Sequence, residues 1–250
     1  ANSSKNTYHL YYWPKMLGRG EFIRLLFIET NQTFTDVWQD KEPSECARLL
    51  YESSPTSMKR NFFAVPALEV YSSHQSLFKI SQTPLICEYL AQNLDGGRLW
   101  PEKEVDQLRA RELNLCITDA VADGHDAYHR ERNKGYIEQK EATEPLVVLF
   151  LTQRLPKWLN FFHNQIGVED DNGNFYFVGE SLTFVDIVFF HWIDGLLAQP
   201  RCAKVLQEAD KYPKLLSHYT QIRSRPRIAK YLDHSDFRKK VTFTQTGPIF

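Results

Sequence analysis

No apolar stretch in this chain approaches the roughly 20 residues that a membrane-spanning helix needs. Its opening residues, Ala1-Asn2-Ser3-Ser4-Lys5-Asn6, also lack the apolar segment of a signal peptide. A soluble, cytoplasmic protein is expected. Neither sign of charge dominates: 30 Lys plus Arg stand against 31 Asp plus Glu, and the net charge of -1 gives no global field to attract nucleic acid or anionic membranes. Cysteine is scarce. Cys46, Cys87, Cys116 and Cys202 are far apart, with no CxxC pair and no zinc-type spacing, which suits packed or surface thiols in a reducing compartment better than a disulfide framework. Repeats of fixed period and low-complexity tracts are missing too. What the chain does have is apolar content, 42% of 250 residues, enough for a substantial core in one large or two smaller domains.

The two halves differ in texture. Tyr8 to Trp13 is an aromatic and apolar strand run, and Gly18 to Thr30 spaces Phe22, Ile23, Leu25, Leu26 and Phe27 for the buried face of a helix. Thr33 to Trp38 reads as a second strand, so the opening is β-α-β, most simply a parallel pair with a right-handed crossover. Pro43 to Tyr51 can form a short helix, ended by the loop signals Ser53-Ser54-Pro55-Thr56-Ser57. Ala67 to Val70 and Ser76 to Ile80 suggest a hairpin, and Pro84 to Asn93 another helix. The order β-α-β-α-β-β-α is that of a thioredoxin-like domain. Composition changes around Asp95-Gly96-Gly97, and helical periodicity dominates from Val105 onward, so a boundary is expected within residues 94–104.

One helix start in the second half is well defined. Thr183 can act as N-cap with Asp186 reaching back to its amide, a capping box with Asp in the usual Glu place, and Leu182 and Ile187 sit where a hydrophobic staple belongs. The following Ile187, Val188, Phe189, Phe190, Trp192 and Ile193 are apolar nearly all round, as in the central helix of a helical domain. The role expected of this helix is folding, not catalysis.

Four motifs in order, Tyr12-Trp13-Pro14 leading into Gly18-Arg19-Gly20-Glu21-Phe22-Ile23-Arg24, the Val65-Pro66 step, the Gln82-Thr83 pair and Gly179-x-x-Leu182-Thr183-x-x-Asp186, resemble the cytosolic glutathione transferase superfamily. The resemblance runs from about Tyr8 to Leu232 and is nearest to the tyrosine-type sigma and alpha patterns. It implies a thioredoxin-like glutathione-binding domain at 1–93, a linker at 94–104, an all-helical domain at 105–236 and a tail at 237–250. Departures accompany the match. There is one more residue between Tyr12 and Arg24, and the stretches before Val65 and across Tyr71 to Gln75 are longer. Where sigma-like members hold the glycine end of glutathione with Trp and Lys, this chain has Glu42-Pro43-Ser44-Glu45-Cys46. Lys41, Arg48, Lys59 and Arg60 are the remaining candidates for that carboxylate.

The resemblance implies that Tyr12 is catalytic. A free thiol with a pKa of about 8.5 is mostly protonated near neutrality, and a hydroxyl donating to sulfur favours the thiolate. Taken alone, Tyr12 reads better as a packed strand aromatic, with Tyr11 on the opposite face, and it is the resemblance that reverses this. Arg19 is a second catalytic candidate, its charge favouring thiolate as the equivalent arginine does in the alpha-like classes, unless it is a surface arginine pairing Glu21 or another carboxylate. A cis Val65–Pro66 bond would leave the Val65 backbone for an extended peptide to pair with, in this family the cysteinyl unit of glutathione; an ordinary trans proline is the alternative. Gln82 and Thr83 precede Pro84, so Thr83 becomes an N-cap whose exposed amides suit a carboxylate, here the γ-glutamyl end of glutathione.

By its position in the resemblance, the helix that carries His125, Tyr128 and His129 would border the second-substrate pocket, so His125, Tyr128 or His129 is expected to line it together with Trp13; surface or core histidines are the commoner alternative. His125 and His129 share a helix face, but no third ligand is evident and no metal is expected. The tail, Phe237 to Phe250, either folds over that pocket or is a surface extension. The resulting expectation is an enzyme that needs no cofactor, takes glutathione as co-substrate and conjugates it to a small hydrophobic electrophile, as a homodimer without nucleic-acid or membrane partners. The alternatives are a glutathione-dependent isomerase or peroxidase in the same site, or a non-catalytic ligand carrier or structural protein.

Overall fold

The computed structural model describes residues 6–51, 62–73, 75–131, 134–167, 169–208 and 211–235. Four strands, β1 (Thr7–Tyr11), β2 (Thr35–Asp36), β3 (Ala67–Ser72) and β4 (Gln75–Ser81), form one sheet in the order β2-β1-β3-β4. β1 runs parallel to β2 and antiparallel to β3, and β3 to β4 is an antiparallel hairpin. Helices α1 (Gly18–Glu29), α2 (Pro43–Tyr51) and α3 (Thr83–Asn93) complete the βαβαββα order expected of a thioredoxin-like fold.

Two local features differ from the sequence reading. The second strand covers only Thr35–Asp36 because the chain turns at once: Gln39 N–H donates to Asp36 O and Lys41 N–H to Trp38 O. That turn buries Trp38 against Tyr11 and Trp13, in a small cluster separate from the main core. Helix α1 is buried almost all round and not on one face alone. The sheet covers one side, where Tyr8 packs on Phe27, and the second half of the chain covers the other.

That second half is helical: α4 (Glu104–Tyr128), α5 (Tyr136–Leu149), a π turn at Phe150–Arg154 leading into α6 (Leu155–Gln165), then α7 (Phe184–Ala198), α8 (Pro200–Leu206), α9 (Pro213–Arg223) and α10 (Pro226–His234). Proline opens α8, α9 and α10, where its missing N–H costs nothing. Helix α7 is the centre. Every residue from Phe184 to Leu196 is buried, and the apolar core is continuous from Phe22 and Ile23 of α1 to Ile187 and Phe190 of α7.

Asp186 anchors α7. Its carboxylate accepts from Thr183 N–H at 2.7 Å, Thr183 Oγ1 at 2.9 Å and Phe177 N–H at 3.0 Å, and its Oδ1 lies 3.0 Å from His218 Nε2. The expected capping box is therefore also a cross-link between α7, α9 and the preceding loop. Replacing Asp186 by Ala leaves several buried donors without an acceptor and removes the cap, so a loss of about 3 kcal/mol is expected from urea unfolding. A change below about 1 kcal/mol would mean the cross-link is dispensable.

Candidate active site

The sheet register brings the separate motifs to one place. Tyr11 pairs with Ala67 and Ala67 with Ser81, so the next residues along, Tyr12 after β1, Val65-Pro66 before β3 and Gln82-Thr83 after β4, all leave the same end of the sheet. The Val65–Pro66 peptide is cis.

Tyr12 sits in a seat made by two glycines. A Cβ at Gly18 would lie 2.3 Å from the Tyr12 hydroxyl, and one at Gly20 would lie 2.6 Å from the ring. Gly18 also has φ +40°, a conformation that side chains disfavour. With both Cβ atoms absent, the start of α1 closes on the phenol, and Arg19 N–H donates to the Tyr12 hydroxyl oxygen at 2.8 Å. The oxygen is thus an acceptor in this bond, and the phenolic hydrogen has no acceptor among the described residues. Burial raises the Tyr12 pKa, and the Arg19 N–H and the charges of Arg24 and Arg19 pull against that shift without reversing it. Tyr12 is therefore a protonated phenol at neutral pH, equipped to donate and not to abstract.

Arg24 secures the seat from behind. Its guanidinium donates to Met16 O at 3.2 Å and Leu17 O at 3.3 Å, pairs with Asp36 at 2.6 Å and Glu21 at 3.4 Å, and lies 5.7 Å from the Tyr12 ring centroid. Glu21 is fully buried, accepts from Tyr231 at 3.1 Å and is committed to these partners. The surface pair Arg19–Glu21 is therefore ruled out. Arg19 instead lines a narrow cleft shared with Phe22, Thr83, Asn114, Thr118 and Val121.

At the third motif the cap shifts by one residue. Gln82, not Thr83, is the N-cap of α3, and it holds φ +76° and ψ +113°. Such a backbone costs a non-glycine residue about 1–3 kcal/mol and clusters at ligand sites. Thr83 lies in the first turn, 6% exposed, and its Oγ1 is buried with no hydrogen-bond partner.

The four residues assigned to the second pocket separate. His125 stacks on His129 with ring centroids 5.0 Å apart, and burial, His129 and the Arg19 charge hold the His125 pKa below the usual imidazole range despite Asp126. Tyr128 is fully buried, with its hydroxyl 3.7 Å from Cys202 Sγ and its ring against Tyr136 and Phe150, so it belongs to the helical core and not to a cleft wall. Tyr128 lies on the side of α4 that meets α5 and α8, where Tyr136 and Cys202 pack on it. Trp13 is half-buried and packs back on Trp38. Among the described residues no group of three or more His, Cys, Asp or Glu could hold a metal ion. Burial also raises all four cysteine thiols, Cys202 to about 12. The protein has no activated thiol of its own.

Of the candidates for the glycine carboxylate, Lys41 is paired with Glu45 at 2.5 Å and Arg48 lies in α2, while Lys59 and Arg60 fall outside the described residues, as does the tail from 237. The supporting parts that the sequence reading missed are the seat formed by Gly18 and Gly20 and the reach of Arg24 to Met16 O and Leu17 O. A G-x-G pair just after a strand aromatic was the available signal.

Residues 125–235 match the family model described as "Glutathione S-transferase, C-terminal domain". A glutathione S-transferase of Plasmodium yoelii yoelii is 26% identical over 219 residues, covering 86% of this chain and 88% of its own. A probable glutathione S-transferase 7 of Caenorhabditis elegans is 28% identical over 232 residues, covering 90% and 95%. Prostaglandin synthase D of Nilaparvata lugens has the same fold, with TM-score 0.67 and 19% identity over 91% of this chain and 98% of that one. Residues 125–235 are thus similar to the C-terminal domain of the glutathione S-transferases, and the chain as a whole has the fold of the solved structures it matches. No helix among the described residues is long and apolar enough to cross a membrane.

Gly18→Ala tests the seat, because the new methyl group meets the Tyr12 hydroxyl in a strained backbone. A loss of about 2 kcal/mol is expected from urea unfolding, together with a change in the Tyr12 ring environment seen by NMR. A variant as stable as the parent, with the ring unmoved, would contradict the geometry.

Proposed function

We propose that the protein is a glutathione transferase of the tyrosine type, working in the cytoplasm, that joins the sulfur of reduced glutathione to small hydrophobic electrophiles. The observation that carries this reading is the Tyr12 hydroxyl, which accepts from Arg19 N–H and keeps its own proton for a ligand. In this reading residues 1–93 bind glutathione, 94–104 link, and 105–236 form the helical domain that supplies the second pocket. The Val65 backbone pairs with the cysteinyl unit, and Gln82 with the buried Thr83 hydroxyl receives the γ-glutamyl end.

The chemistry follows from the residues. Glutathione releases its thiol proton to solvent, and the Tyr12 hydroxyl donates to the resulting thiolate while Arg19 adds positive charge nearby. The sulfur lone pair then attacks an electrophilic carbon held beside it, a C–S bond forms and the leaving group departs as its anion. Holding both reactants in one cleft supplies much of the acceleration.

Surface chemistry favours a homodimer. Phe63 is 89% exposed two residues before Val65, and Leu77 and Leu85 add exposed apolar surface on β4 and α3, as do Leu108 and Leu115 on α4. A second copy of the chain, its first domain laid on the partner's helical domain, would cover them.

Tyr12→Phe should lower kcat/KM for chlorodinitrobenzene about 100-fold with glutathione affinity little changed. An unchanged rate would remove Tyr12 from the mechanism. Parallel assays with cumene hydroperoxide and a prostaglandin-type endoperoxide separate conjugation from peroxidase and isomerase use of the same thiolate. Light scattering on the parent should give twice the chain mass, falling toward one chain in Phe63→Ser; a monomeric parent would contradict the dimer.

A further inference from the structure

His191 lies midway along α7, fully buried, with its Nε2 2.9 Å from the carbonyl oxygen of Gly18. A carbonyl oxygen only accepts, so Nε2 carries the hydrogen and donates. The same peptide unit, Gly18–Arg19, presents at its other end the N–H that donates to the Tyr12 hydroxyl at 2.8 Å. One planar amide therefore receives a hydrogen bond on its oxygen and gives one from its nitrogen. Amide resonance couples the two ends. Drawing electron density toward the carbonyl oxygen makes the N–H a stronger donor, by about 10–30% per bond in a condensed-phase chain.

The surroundings amplify this. Val188, Phe189, Phe190, Trp192 and Ile193 are all buried, and the Phe22 ring stands edge-on to the imidazole with centroids 4.5 Å apart. In such a low-dielectric setting a hydrogen bond is electrostatically stronger than in water. The charged groups acting on the Tyr12 hydroxyl are Arg24 and Arg19, both on α1. His191 reaches it from the opposite domain.

We propose that His191 is a positioning residue: it polarises the Gly18–Arg19 peptide and thereby sets how strongly the Tyr12 hydroxyl can donate to a bound thiolate. The effect on a thiol rests on the glutathione transferase reading, whereas the His191–peptide–Tyr12 relay does not. Through it the helical domain acts on the acidity of a thiol held by the other domain, beyond supplying a pocket wall.

The test uses the full chain with His191→Leu, which removes the donor, and His191→Gln, whose amide nitrogen keeps one at similar reach. In the ligand-free protein the Arg19 amide proton should move upfield in His191→Leu, further than other α1 amides, and return most of the way in His191→Gln. With glutathione bound, thiolate absorbance should titrate about 0.5–1 pH unit higher in His191→Leu, equivalent to a three- to tenfold fall in thiolate at a given pH. Affinity measured at a pH below the bound thiol's titration, where the sulfur is protonated in both proteins, should stay within about twofold, since His191 is not assigned to ligand contact. An Arg19 amide that does not move in a folded His191→Leu, or a Gln variant displaced as far as the Leu variant, overturns the relay. Should His191→Leu not fold, the imidazole nitrogen shifts of the parent decide: a protonated Nε2 is required, and an Nδ1–H tautomer overturns the proposal. An intact relay with no glutathione binding would sink the transferase reading alone.

Discussion

The hydrogen bond from Arg19 N–H to the Tyr12 hydroxyl is the constraint around which the rest of the site is arranged. It requires the first turn of α1 to approach within contact of a tyrosine ring, which only glycine at 18 and 20 permits. It also requires the chain between β1 and α1 to hold its path, which Arg24 enforces through Met16 O and Leu17 O. Arg24 can do so while buried because Asp36 and Glu21 balance its charge; an unpaired guanidinium there would be costly. The local sequence, the buried ion network and the orientation of one phenol proton are thus a single arrangement.

The helical half is bound into that arrangement. Tyr231 of α10 reaches Glu21, Arg225 reaches Glu29 at 2.5 Å, Asn114 donates to Pro84 O at 3.0 Å, and His191 approaches Gly18 O. Arg225 holds the far end of α1, and the other three contacts land in the first turns of α1 and α3, the two helix N-termini beside the cleft. A cleft placed there has one wall from each half, and the protein's own thiols, all pushed toward the protonated form by burial, leave nucleophilic sulfur to be supplied by a ligand.

Features with local causes were legible in the sequence. The capping box at Thr183–Asp186, the βαβαββα order and the all-round burial of α7 follow from short-range pattern and composition. The β2 strand was overestimated because Val37 and Trp38 have strand character, but Trp38 is claimed by an aromatic cluster across the chain. The shift of the cap from Thr83 to Gln82 depends on a positive φ that no preference for Gln announces. Tyr128 was misplaced because spacing along a helix gives relative rotation, while the absolute orientation is set by what packs on it, here Cys202, Tyr136 and Phe150. His191 stood out only as a polar residue in an apolar helix, and its contact with Gly18 joins positions 173 residues apart.

The most direct measurement is a crystal structure of the protein soaked with reduced glutathione, read for the contact between the sulfur and the Tyr12 hydroxyl. The account predicts a hydrogen bond between them with the Arg19 N–H bond retained. A sulfur seated elsewhere in the cleft, or a Tyr12 hydroxyl that still donates to no ligand atom, would contradict it.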